Sequence, residues 1–440
     1  MAMVDSTVAN LAVESIRSDF ATNLTVVQWV ITGYLIALVV SLPAAGWLGR
    51  RFGYGRVWKV TLGVFVTASA LCGVAPRPSS LIGARLLQGL AAGIMVPAGQ
   101  AVIGAAAGPA QLGRIFGALG LVVALGPAVG PAAGGLLLEV GSWRWLFWIN
   151  IPIGITTLLT ARGLVPPGAM SGARPMDWKG LILLGGGLSV LLYGASDLGS
   201  GPIPTRHVVL IVVGAMLSTG FVLTALHSTL PLLDLRLLYR RGFGAATATA
   251  GLTGVNMYGG LLLLPLYFQI VEGRGIAETG WLLLAMGLGS ALALPAGGWL
   301  TDRYGARRIT LVGAALLVLS TGPFLFPGIL SVVALTAALI LRGIGLAWAQ
   351  MPAMAAAYGD VSTEQLGDAT TLVNIAQRVG SAVGTIAVVL VLARDIEVPI
   401  TSAYVRAFAW LLLISMLTAG TGSAMRAQAR DNLRQRPPAA

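Results

Sequence analysis

Apolar runs of about twenty residues, separated by short segments rich in arginine, glycine and proline, recur from one end of this chain to the other. A helix of that length covers about 30 Å, the hydrocarbon thickness of a bilayer. Only helices and closed barrels satisfy every backbone polar group in hydrocarbon. The runs lack the alternation of barrel strands, so the expected fold class is an all-α polytopic membrane protein. Composition supports this: 56% of the residues are hydrophobic and 10% are charged, where a soluble domain carries roughly 25% charged residues.

About fourteen spans are expected, near residues 1–16, 26–48, 57–75, 80–105, 114–138, 146–163, 178–198, 206–226, 243–270, 276–301, 308–328, 329–357, 366–393 and 403–424. An even number puts both termini on one side. The loops of that side include Arg50, Arg51, Arg56, Lys59, Arg236, Arg240, Arg241, Arg303, Arg307 and Arg308, and the tail carries Arg426, Arg430, Arg434 and Arg436. The opposite side carries fewer, among them Arg17, Arg77, Arg144 and Arg274. The bias predicts cytoplasmic termini in a cell membrane. It also accounts for the net charge of +12 without a nucleic-acid partner. The first span rises only about 24 Å, so a start upstream of Met1 is expected. No cleavable signal pattern is present.

Several function classes are excluded. The single cysteine, Cys72, forms no intramolecular disulfide, and His207 and His227 are too few for a histidine-built metal site. No zinc-protease, serine-hydrolase or phosphate-loop motif occurs, so neither an enzyme nor a self-contained ATP-driven pump is expected. No cofactor or metal is expected, and nothing in the sequence specifies an oligomeric state.

The segment "GWLGRRFGYGR" (46–56) is repeated as "GWLTDRYGARR" (298–308). Gly46, Arg51, Gly53 and Arg56 align with Gly298, Arg303, Gly305 and Arg308, all 252 residues apart. Weak symmetry between two halves marks secondary transporters, whose substrate site lies between the halves. The domains read as an N-terminal six-helix bundle (1–163), a linker with two extra spans (164–242), a C-terminal six-helix bundle (243–424) and a basic cytoplasmic tail (425–440).

Two stretches break the apolar pattern. "VALGPAVGPAAGGLL" (122–136) puts Gly126, Pro127, Gly130, Pro131, Gly134 and Gly135 into one expected helix. The prolines kink it, and glycines four apart make a face that lets a neighbour approach closely. Elsewhere Arg85 lies mid-span, at a cost of roughly 2.5–3.5 kcal/mol on insertion scales, and requires a partner. Gln88 shares its helical face, and Asp5 is the one acid placed well inside a span.

These segments together resemble the major facilitator superfamily, and within it the fourteen-span drug:proton antiporters. "GWLGRRFGYGR" resembles the loop signature after the second span, and "LIGARLLQGLAA" (81–92) the arginine pattern of the fourth. "GPAVGPAAGG" (126–135) resembles the antiporter motif of the fifth, "DSTVANLA" (5–12) a first-span pattern, and "WRWLFWINIPIG" (143–154) a stretch typical of the fourteen-span branch. Two departures stand out: Arg50 replaces the usual loop aspartate, which the second copy keeps as Asp302, and Glu14 replaces a proline.

The resemblance implies export of a small hydrophobic or drug-like compound in exchange for protons, driven by the proton gradient. It makes the first and fourth spans neighbours, so Asp5 and Arg85 are expected to share a cavity, with Asp5 carrying the proton. A static ion pair is the competing reading. Asp302 and Arg303, with the matching arginines of both copies, are expected to hold helix ends together at the cytoplasmic gates. Candidate cavity residues are Gln88, Asn256, Tyr258, Gln269, Arg342, Asn374, Gln377 and Arg378. Export of an endogenous lipid, peptide or metabolite, or a non-transporting scaffold, are the alternatives.

Overall fold

The computed structural model describes Asp5 and residues 12–107, 111–121, 141–168, 170, 175–196, 205–228, 231–326, 328, 331–393 and 400–426. Among these the chain is helical, with no strand. The helices are α1 (Val13–Asp19), α2 (Leu24–Ser41), α3 (Ala44–Phe52), α4 (Tyr54–Gly73), α5 (Pro78–Ala107), α6 (Leu112–Leu121), α7 (Asn150–Leu164), α8 (Trp178–Gly194) and α9 (Thr205–His227). They continue as α10 (Arg241–Val271), α11 (Ile276–Tyr304), α12 (Ala306–Thr321), α13 (Val332–Gly359), α14 (Leu366–Ala393) and α15 (Ile400–Ala424). Eight of the described helices are long and apolar enough to cross a membrane, or nine if one bent pair counts as a span.

The chain forms two compact units. The first comprises Met1–Ile103, Leu125–Leu235 and Glu364–Ile375, and the second Gly104–Ala124, Arg236–Thr363 and Ala376–Ala440.

In the first unit the expected span 26–48 is two helices, α2 and α3, bent by 56°. Pro43 sits at the break. It has no N–H to give the preceding turn, and its ring crowds the carbonyl four residues back. Asn23 begins α2 by accepting from the Val26 N–H at 2.9 Å, and Asp177 begins α8 by accepting from the Gly180 N–H at 2.8 Å. α5 lies against α2 through Gly89 and Gly93. A Cβ there would come within 2.3 Å of the Tyr34 carbonyl oxygen and 2.1 Å of the Leu38 carbonyl oxygen. This close approach brings Arg85, one turn earlier on α5, up to the α2 backbone.

In the second unit Leu263, Tyr267, Phe268, Phe324 and Phe408 form a buried cluster, with the Phe324 and Phe408 rings stacked at 4.8 Å.

The sequence repeat is also a repeat of backbone geometry. α3 ends and α4 begins at Gly53 (φ +85°), and α11 ends and α12 begins at Gly305 (φ +88°). Both residues combine positive φ with extended ψ, a region essentially closed to other residues. The Gly53 N–H donates to the Gly49 carbonyl at 2.8 Å, and the Gly305 N–H donates to the Thr301 carbonyl at 2.9 Å.

Candidate functional site

Asp5 and Arg85 meet in the interior of the first unit. Their side chains are 1% and 0% exposed, and Arg85 Nη1 lies 2.5 Å from Asp5 Oδ2. Gln88, one turn along α5, accepts from Arg85 Nη1 at 2.6 Å. Through Nε2 it donates to Asp5 Oδ1 at 3.1 Å and to Ser69 Oγ at 2.6 Å. Asn150, at the start of α7, donates a second bond to Asp5 Oδ1 at 3.0 Å. Arg85 Nε donates to the Val30 carbonyl at 2.9 Å. The guanidinium carbon stands 4.2 Å from the Tyr34 ring centroid and 5.6 Å from that of Phe147. Desolvated cation–π contacts of this kind contribute about 2 kcal/mol.

The carboxylate accepts from three neighbouring side chains and balances one cation, and both side chains are shut off from solvent. Breaking such a pair on one side leaves an uncompensated buried charge, at about 3–5 kcal/mol. Asn150 and Ser69 were not among the residues singled out from sequence. The available signal was that Asn150 is the single amide within the expected span 146–163.

The second unit has a buried arginine of its own, with different partners. Arg342 on α13 is 1% exposed. It donates to Thr321 Oγ1 at 2.8 Å, and to Asn256 Oδ1 at 2.6 Å and the Asn256 carbonyl at 3.0 Å. Asn256 in turn donates to Ser415 Oγ at 2.6 Å. These partners are all neutral. Asn256 and Arg342 thus join one network tying α10, α12, α13 and α15 together.

The remaining cavity candidates are dispersed. Tyr258 and Gln269 are exposed on α10. Asn374 donates to Gln100 Oε1 at 2.6 Å, whereas Gln377 points to the Met354 sulfur at 3.6 Å. Arg378 is half-buried, and its carbonyl accepts from Ser381 Oγ at 2.7 Å. The polar face expected from Asn374, Gln377 and Arg378 is therefore not one cluster. Gly126, Pro127, Gly130, Pro131, Gly134 and Gly135 lie outside the described residues.

At the repeated loops each copy shows the same stacking. Arg51 lies over Trp47 and Phe52 at 5.4 and 5.5 Å, and Arg303 lies over Trp299 and Tyr304 at 5.1 and 5.4 Å. Arg56 and Arg308 are exposed.

The position preceding each stacked arginine differs. Asp302 accepts from the backbone N–H groups of Gly113 and Arg114, both at 2.9 Å, and so caps the N-terminus of α6. Its counterpart Arg50 forms an ion pair with Asp368 in the first turn of α14. Gly46 leaves room for that carboxylate, since a Cβ there would sit 2.6 Å from Asp368 Oδ1. The acid missing from the first loop is thus supplied by the helix it faces, and Asp368 was not among the residues expected from sequence.

Away from the spans, Asp19 binds Arg144 Nη1 at 2.7 Å and the Trp143 indole N–H at 3.1 Å. The Arg144 hydrogen bond, helped by Trp143, holds its carboxyl below the usual range. Among the described residues no group of histidine, cysteine and carboxylate side chains could hold a metal ion.

A model of the Major Facilitator Superfamily matches residues 1–385. The chain is 35% identical over 392 residues to Multidrug resistance protein B homolog of Mycobacterium tuberculosis, covering 88% of this chain and 72% of the relative. It is 34% identical over 398 residues to Puromycin resistance protein pur8 of Streptomyces alboniger (87% and 78% covered). It is 30% identical over 390 residues to Tetracenomycin C resistance and export protein of Streptomyces glaucescens (88% and 72%). Among solved structures, a bacterial homologue of the iron transporter ferroportin superposes with a TM-score of 0.66 at 12% identity, covering 96% of each chain. The human organic anion transporter MFSD10 gives 0.61 at 16% identity, covering 94% of this chain and 89% of that one. These likenesses concern the fold.

Proposed function

The chain belongs to the Major Facilitator Superfamily and is a multi-pass membrane transporter, not an enzyme; from that premise we propose that it exports hydrophobic, drug-like compounds across the cytoplasmic membrane in exchange for protons. The observation that carries the proton step is the sealed Asp5–Arg85 pair with its Gln88 and Asn150 donors. Relatives that confer resistance to several drugs, to puromycin and to tetracenomycin C support the choice of cargo. The arginine-rich loops and tail support cytoplasmic termini.

In this cycle Asp5 takes up a proton when the site opens outward. The neutral carboxyl no longer holds Arg85 as an ion, so the helices carrying them shift. Opening inward, Asp5 releases the proton, and substrate leaves in the opposite direction.

The test uses everted membrane vesicles with an imposed proton gradient. Puromycin and tetracenomycin C are the first cargoes to add. They should dissipate the gradient in vesicles carrying the parent protein and leave it intact with Asp5→Asn. A parent-like response from Asp5→Asn removes Asp5 from the proton path. No response to any hydrophobic cargo removes proton-coupled export.

A further inference from the structure

A cavity of about 580 Å³ opens where α10 begins and α13 and α15 end, lined by Arg240, Arg241, Gly242, Asp360, Ala424 and Arg426. It lies wholly in the second unit, and none of its lining residues belongs to the Asp5–Arg85 cluster or to a repeated loop. The lining puts three guanidinium groups around one carboxylate. That carboxylate is already engaged: Asp360 Oδ2 accepts from the Phe243 N–H at 3.1 Å, and Oδ1 lies 3.5 Å from Arg426 Nη1. Each helix end contributes about half a charge, positive from the N–H end of α10 and negative from the carbonyl ends of α13 and α15. Three arginines against Asp360 give the lining itself a net positive formal charge. Arg241 is exposed, and the Arg426 side chain is 82% exposed.

The neighbouring residues indicate where the anion comes from. Leu238 and Tyr239, directly before Arg240, are 41% and 73% exposed. An exposed leucine and tyrosine beside arginines at the end of a spanning helix form a membrane-boundary surface, apolar toward the acyl chains and cationic toward the headgroups. The chain after Arg426 carries Arg430, Arg434 and Arg436, so its own tail is the wrong sign to fill the cavity.

We propose that this cavity binds the phosphate of an anionic phospholipid headgroup, with Arg240, Arg241 and Arg426 around the phosphate and Leu238 and Tyr239 against the chains. Basic pockets between helix ends are suited to such headgroups, and each arginine near the surface adds about 1 kcal/mol of attraction.

The test is calorimetric titration of the full-length detergent-solubilised protein with dihexanoyl phosphatidylglycerol, with dihexanoyl phosphatidylcholine and inorganic phosphate as comparison ligands. Phosphatidylglycerol should bind, and Arg241→Gln/Arg426→Gln should weaken it about 30-fold. Arg206→Gln, a charge removed elsewhere, should leave it unchanged. Asp360→Asn removes the opposing charge and should tighten binding, an outcome that damage to the fold would not produce. Equal binding of phosphatidylcholine, or an unchanged affinity in the double variant, overturns the site. Inorganic phosphate binding as tightly as phosphatidylglycerol overturns the lipid assignment in favour of a free anion.

Discussion

Two variants of the Asp5–Arg85 pair separate its mechanical role from the role in proton transfer proposed for it. Asp5→Asn leaves Arg85, with no solvent exposure, facing neutral groups only. The expected loss is about 3–5 kcal/mol of stability, the cost of an unmatched buried charge. Arg85→Gln/Asp5→Asn removes both charges. It gives up the Arg85 contacts to Val30 and the Tyr34 ring, but leaves no ion in the interior. The double variant should therefore fall within about 2 kcal/mol of the parent. Arg85→Gln alone leaves Asp5 as the unmatched ion and should also lose about 3–5 kcal/mol, so the coupling energy is at least about 4 kcal/mol, well above the few tenths expected of independent sites. Denaturant titration of all four proteins in one detergent reads this directly. Single costs that simply add, or an unmoved midpoint for Asp5→Asn, would refute the reasoning. If Asp5 also carries the proton, the double variant should regain stability without regaining coupled transport. A stable double variant that still moves protons would leave the pair a purely structural feature.

Four shorter predictions follow from other parts of the molecule. Asp368→Asn should cost about 1–3 kcal/mol and Arg50→Asp/Asp368→Arg should recover most of it, as measured by the same titration, because the pair is mostly shielded but not sealed. Gly305→Ala meets no atom within 4 Å and should lose only the backbone strain, about 1–3 kcal/mol, whereas Gly53→Ala also drives a Cβ to 2.4 Å from the Pro167 carbonyl oxygen and should lose more. Thr321→Val removes the acceptor of Arg342 Nη1 and should cost about 1–3 kcal/mol, with a smaller loss in Arg342→Met/Thr321→Val. Asp19 titrates below its unfolded value, so the contact it makes is fully present above the ordinary carboxylate range and is lost as pH falls through the lowered one. Trp143 fluorescence should hold steady from neutral to mildly acidic pH, change only below that range, and show no such step in Asp19→Asn.

Much of this architecture is legible in the sequence because lipid imposes a simple rule on it. The expected span 366–393 coincides with α14, and 206–226 differs from α9 by one residue at each end, since apolar length alone sets where such helices run. The Asp5–Arg85 encounter is legible for the same reason: an interior acid and an interior base have few places to go. What escapes is determined by pairing between distant parts of the chain. Asp368 looks like an ordinary first-turn acid, and its partner Arg50 is 318 residues away. Asn374 and Gln377 share a helix and a polar character, yet bind Gln100 and Met354. Helical spacing places side chains on a cylinder, but the neighbouring helices decide which of them meet.

The duplicated loops carry one more consequence. Leu42-Pro43-Ala44 and Leu294-Pro295-Ala296 are identical, and each leads into a Gly-Trp-Leu segment and the glycine turn beyond. Yet the first passes through a 56° elbow while the second continues inside a single rod, Ile276–Tyr304. Proline weakens the ladder equally in both, so the surrounding contacts choose between the two shapes. One tripeptide thus takes two shapes within the same polypeptide: proline permits the elbow, and the company it keeps decides whether the elbow forms.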